Sequence, residues 1–305
     1  MRRLGPSRIA PAALLLALAP LPAPAADLRP LALAVFDEQG QFVSDVKRDE
    51  VRVLENGEPR EVAGFERDER PLAAVLVLDT SVGAGRVFRT QAFDAVWGFV
   101  SRLPPGARCT LWTTGDRPKN RGALGSERKD VDKKVGQGFA SEGANALMDT
   151  VGEAATALAG ESGKRRALVV LTGNGAGHTT ATPNDVTNAA RKAGGPLFAL
   201  MYDEGGAASA GSLMLGEAPR DADNITIVGP ADHERVLSGL AQGTGGRFER
   251  VASAAGAGGP FEAFAADLGG QYRLRYVPGD AKGPKRLEVR IARTGVHWRV
   301  ALDSP

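Results

Sequence analysis

The stretch Ala73-Ala74-Val75-Leu76-Val77-Leu78-Asp79-Thr80-Ser81-Val82-Gly83 decides the fold. Six apolar residues in an unbroken row, ended by an aspartate, suit a strand buried on both faces of a parallel sheet, since a strand with one wet face would alternate. Behind it Phe88, Ala92, Val96 and Val100 recur at i, i+4 with Phe93 and Trp97 beside them, which predicts an amphipathic helix stopped by Pro104-Pro105-Gly106. The same grammar repeats downstream, with strands over 108–113, 167–172, 197–202 and 247–251 and helices over 146–159, 183–193, 233–241 and 261–268. Such alternation predicts a doubly wound, mostly parallel sheet with helices on both faces.

Both flanks of this region read differently. Residues 31–36, 50–54 and 61–65 form short strand-like runs parted by turn signals, and Asn56-Gly57 marks a type I′ hairpin because both central positions need φ > 0. After Gly270, residues 272–276, 286–291 and 297–302 alternate apolar with polar, as antiparallel strands with one wet face do. Strands from the two ends are therefore expected to pair into one small flanking β module. The plan is a signal peptide over 1–26, an N-terminal β segment over 27–70, an α/β domain over 71–270 and C-terminal β strands over 271–305. Glycine-, alanine- and serine-rich stretches at 204–211 and 252–259 read as surface connections.

The opening residues set the expected compartment. Arg2, Arg3 and Arg8 precede an apolar stretch from Ala12 to Ala19 and the small-residue run Ala23-Pro24-Ala25, the layout of a secretory signal peptide, so the chain is expected to be exported to the periplasm or beyond. Later segments are too short and polar to span a bilayer. The 38 basic and 36 acidic side chains are interspersed for a net charge of +2, which leaves no footprint for nucleic acid. The single cysteine, Cys109, cannot close an internal disulfide and reads as a small core residue.

Asp79-Thr80-Ser81-Val82-Gly83, between a buried strand and an amphipathic helix, resembles the Asp-x-Ser-x-Ser loop of the von Willebrand factor type A family. In particular it is similar to exported bacterial members that carry a short β prefix, here Val35-Phe36-Asp37-Glu38-Gln39-Gly40 and 53–62. Further matches follow in order at 143–149, 168–172, 244–248 and 271–276. The resemblance implies a site at the carboxyl edge of the sheet where a divalent cation, usually Mg²⁺, is held by an aspartate and two serines of the first loop, a threonine of the second and an aspartate of the third. Asp79 and Ser81 match. Gly83 replaces the second serine, Asn145 stands in the place of the threonine with an amide oxygen able to ligate, and Gly173, followed by Asn174, replaces the second aspartate. The candidate metal ligands are thus Asp79, Ser81 and Asn145, and the candidate ligand-binding loops carry Thr80, Gly83, Asn145, Gly173 and Asn174. One carboxylate in place of two halves the attraction for a dication, so the expected occupancy is none or weakly bound Mg²⁺ or Mn²⁺.

Plainer roles compete at these positions. Asp79 or Ser81 at a strand end suits helix capping. His178, His233 and His297 stand on three different elements without ligands at zinc spacing, and are expected at or near the surface. The 221–224 run lacks the glycine and distal glutamate of a calcium loop. The basic runs at 133–134 and 164–166 read as solvated faces, the second a polar lead into a buried strand. No nucleophile, base and orienting group can be named together, so catalysis is not expected. The expectation is a binding module that recognises a protein or glycan ligand through the loops at the carboxyl edge. The alternative is a structural scaffold subunit of a cell-envelope complex in which the cation site is vestigial.

Overall fold

The computed structural model describes residues 28–140, 143–203, 225–280 and 286–302. The signal-peptide reading and those for 204–211 and 221–224 concern residues outside these. The chain runs β1 (Arg29–Asp37), β2 (Val51–Glu55), β3 (Glu58–Arg60), β4 (Val62–Arg67), β5 (Leu72–Leu78), α1 (Arg86–Ser101), β6 (Arg108–Thr113), β7 (Lys119–Ala123), α2 (Arg128–Phe139), α3 (Leu147–Ala159), β8 (Arg165–Gly173), β9 (Gly177–Thr179), α4 (Pro183–Ala193), β10 (Leu197–Tyr202), β11 (Thr226–Val228), α5 (Pro230–Thr244), β12 (Arg247–Val251), α6 (Gly258–Asp267), β13 (Tyr272–Tyr276), β14 (Leu287–Ile291) and β15 (Val296–Leu302).

The decisive strand β5 lies inside a six-stranded sheet of order β12-β10-β8-β5-β6-β7, parallel except for the β6–β7 hairpin at its edge. Its apolar row serves two cores in alternation. Ala74, Leu76 and Leu78 face α1, α2 and α6 and pack with Phe88, Phe99, Phe139 and Phe261, while Ala73, Val75 and Val77 face α3, α4 and α5 and pack with Val151, Val186 and Leu237. Both faces being covered is why polar residues are missing from the strand. Cys109 lies within the first of these cores, and burial pushes its thiol up to about 12.

Strands of the two chain ends do pair. A sheet of order β15-β1-β13-β4 faces a second of order β14-β2-β3 across a shared core that includes Leu33, Val35, Val53, Leu274 and Ile291. Asn56 and Gly57 turn between β2 and β3 with φ of 56° and 85°, as the hairpin requires. Strand β1 is also buried on its other face. There Ala32, Ala34 and Phe36 line a small gap with Pro196, Phe198 and Gly245 of the α/β core, which explains why this edge of the module is apolar throughout. Arg299 pairs with Asp267 across the same junction.

The contacts that join the module to the core lie at the amino ends of the central strands. Arg165, at the start of β8, is buried and donates to the carbonyls of Arg70 and Leu268, so the run leads into a buried strand as expected but Arg165 itself is not solvated. The opposite, carboxyl end of the sheet is left free of the module. Three further segments depart from the expected pattern. Helix α2 and strand β7 form where no periodic signal was legible, and the 252–259 stretch folds into a 3₁₀ turn and the start of α6.

Candidate functional site

Parallel register brings Leu78 beside Thr113 and beside Leu171, so the next residues, Asp79, Thr114 and Thr172, meet at the carboxyl edge of three neighbouring strands. Asp79 is buried there and its carboxylate accepts five hydrogen bonds. Oδ1 takes the Ser81 N–H at 3.0 Å and the Thr114 hydroxyl at 3.2 Å. Oδ2 takes the Thr172 hydroxyl at 2.9 Å, the Gly173 N–H at 3.2 Å and Asn145 Nδ2 at 3.2 Å. A buried carboxylate has to be compensated, and here protein donors from four segments of the chain do it.

The loops are further tied by their backbones. Val82 N–H donates to the Gly143 carbonyl, Ala146 N–H to that of Gly115, and His178 N–H to that of Asn145. Gly177 has to be glycine, because a Cβ there would overlap the Asn145 carbonyl and reach within 3.0 Å of His233 Cε1. His233 is therefore buried beneath this crevice instead of lying near the surface, and His178 is buried as well, which corrects both readings; His297 is exposed and stacks on Phe36. Burial holds the His233 imidazole below its ordinary value, with the Asp79 charge opposing.

The candidate residues separate into distinct roles. Asp79, Ser81 and Asn145 come together. Two of their atoms, Ser81 Oγ and Asn145 Oδ1, are buried without a hydrogen-bond partner among the described residues. Thr80 points away and binds Thr114, its N–H donating to Oγ1 and its hydroxyl to the carbonyl. Asn174 turns outward and donates to Asp203 Oδ1 at 2.8 Å, so it does not join Asp79. Gly83 lies in a short 3₁₀ turn, Val82–Ala84, that begins at Ser81. The capping reading of Asp79 is not what forms, since α1 starts from Gly85 and Asp79 braces the loop through the Ser81 N–H.

A resident divalent cation fits this arrangement poorly. The donor set has one carboxylate, already saturated by protein donors. The position of the third-loop aspartate is closed, because a Cβ on Gly173 would meet Tyr202 Oη at 2.5 Å. Tyr202 is held there by stacking on Phe88 and by donating its hydroxyl to the Ala84 carbonyl. Among the described residues no group of three or more His, Cys, Asp or Glu side chains is placed to hold a metal. Thr114, Thr172, Tyr202 and His233 escaped the sequence reading. Hydroxyl residues directly after two apolar strands were the available signal for the first two, and only the packed structure reveals the others.

No family model and no curated protein sequence matches the chain. Among solved structures, it is similar to a von Willebrand factor type A protein from Catenulispora acidiphila, at 12% identity and a TM-score of 0.48, over 92% of this chain and 75% of that one. It is also similar to proximal thread matrix protein 1 of the mussel byssus, at 13% identity and a TM-score of 0.48, over 77% of this chain but only 50% of that one. A third is BatB from Bacteroides thetaiotaomicron, at 13% identity and a TM-score of 0.44, over 65% of this chain and 97% of that one. The solved structures to which this chain is similar thus include von Willebrand factor type A proteins, the family that its Asp79-Thr80-Ser81 loop resembles.

Proposed function

We propose that this chain is an exported, non-catalytic binding module that engages a protein or glycan ligand through the loops at the carboxyl edge of its central sheet, with weak or no dependence on a divalent cation. The observation that supports it best is the Asp79 carboxylate, whose hydrogen-bonding demand is met by five protein donors. Beside it Ser81 Oγ and Asn145 Oδ1 are buried without a partner among the described residues, and Val82 on the same loop and Val87 at the start of α1 stand 42% and 56% exposed, so an apolar surface adjoins the loop. Export is supported by the residue pattern over 1–26, and among the described residues no helix is long and apolar enough to cross a membrane. The scaffold reading remains as the alternative, with the crevice vestigial.

Two measurements test the proposal. Stabilisation by a ligand scales as RT ln(1 + [L]/Kd), so millimolar Mg²⁺ against EDTA should move the melting temperature by less than about 1 °C. A photo-crosslinking residue at Val87 should capture one discrete envelope component equally with and without EDTA, while the same residue at Lys129 on α2 should not. A large Mg²⁺ shift would overturn the metal-independent reading, and capture at Lys129 but not Val87 would favour the scaffold.

A further inference from the structure

A second concavity lies on the α3–α4 flank of the sheet, beside but separate from the Asp79 crevice. It encloses about 690 Å³, within the usual range for ligand sites, and its floor includes Trp112, Val186 and Ile225. Its rim is acidic. Asp149 and Glu153, one turn apart on α3, face the cleft with Asp116 and Asp185, against the lone basic side chain of the described lining, Arg117. Asp149 is engaged by the 179–181 backbone and hydroxyls, and Asp185 caps α4. Among the described residues no cation pairs with either of them or with Glu153, whose carboxyl is pushed up by burial and then by Asp149.

Two lining side chains add an independent demand. Trp112 is 8% exposed and His178 4%, and among the described residues their Nε1 and Nδ1 atoms have no hydrogen-bond partner. His178 Nε2 lies 3.1 Å from the Asp116 carbonyl. A carbonyl can only accept, so in the neutral ring Nε2 carries the hydrogen and Nδ1 is an acceptor. Among the described residues, one donor and one acceptor buried beside the cleft and the Glu153 carboxylate on its rim thus have no partner, above an apolar floor. A peptide unit has the C=O and N–H that the two rings lack, and a lysine or arginine side chain has methylenes for the floor and a cation for Glu153.

We propose that this cleft binds a peptide segment bearing a lysine or arginine side chain, lodged over Trp112 with its charge at Glu153 and Asp149. This site is independent of the crevice reading. The test is NMR titration of the Trp112 indole signal, assigned through Trp112→Phe, with N-acetyl-lysine N-methylamide, N-acetyl-norleucine N-methylamide and butylamine. The lysine compound should shift the signal saturably and the other two should bind several times more weakly. Glu153→Gln, at an exposed position that folding tolerates, should weaken the lysine compound about fivefold, the scale of a partly exposed ion pair. Val87→Ser in the crevice should change nothing. No shift of the indole up to about 10 mM, a generous limit for so small a probe, would overturn the proposal. So would norleucine or butylamine binding as tightly as lysine, or a Glu153→Gln protein that binds undiminished.

Discussion

Tyr202 Oη sits where a third-loop carboxylate would need room, and a single side chain thereby changes what the crevice can hold. Gly173→Asp is expected to force the Tyr202 ring off Phe88 and lower stability by about 2 kcal/mol, the scale of an overpacked core, without creating any Mg²⁺-dependent gain; denaturant unfolding with and without Mg²⁺ checks both halves. His233 carries the second residue-level consequence. Its folded value is depressed by burial, so the folded chain stays neutral at a pH where the unfolded chain binds a proton below about 6.5. Stability should accordingly fall as pH drops from 7 to 5. Carboxylates held low by their partners, such as Asp203 with Arg250 and Asp185 with Thr182, also lose stability in acid, but at pH values nearer their own ordinary range. Between pH 7 and 5 the melting temperature of His233→Leu should thus decline less than that of the wild type, and an equal decline would show that the proton is taken up elsewhere.

Among the elements, α4 shows how local chemistry starts a helix. Thr182 accepts from the Asp185 N–H, and the Asp185 carboxylate accepts from the Thr182 N–H, a reciprocal capping box with Pro183 at the first helical position and Gly194 in the left-handed region at the far end. Thr182→Ala should cost about 1 kcal/mol in chemical denaturation, the usual worth of such a cap, and the cost should shrink when Asp185 is already replaced by Ala because the two act as a pair. Boundaries of this helix were readable from Pro183 and Gly194. Helix α2 was not, because its buried positions are few, Val131, Val135 and Phe139, among residues that are mostly charged or glycine. A sparse apolar stripe is recognisable only once α1 is there to cover it.

Across the whole molecule, the β module is a joint product of both chain ends, with β1 between β15 and β13 at the centre of its sheet. Deleting 27–66 removes that central strand together with β2, β3 and β4, strips the partners of Tyr272, Leu274 and Ile291, and uncovers the apolar junction lined by Phe198. The truncated protein is expected to aggregate, as light scattering would report, and a monomeric, cooperatively unfolding product would contradict the pairing. The sequence by itself determined the period of each segment: an unbroken apolar row for β5, alternation for β13 to β15, and the Asn56-Gly57 turn. Period follows from which faces are buried, and that is written in residue order. It also placed Asp79 at a strand end. Only the tertiary structure decided what Asp79 does there. Its donors Thr114, Asn145 and Thr172 come from three separate segments, Tyr202 arrives from β10 and His233 from α5, and parallel register sets Thr114, Thr172 and Tyr202 side by side. Contacts between residues so far apart along the chain leave no periodic trace, so hydrogen bonds between loops place Asn145 and helix packing places His233.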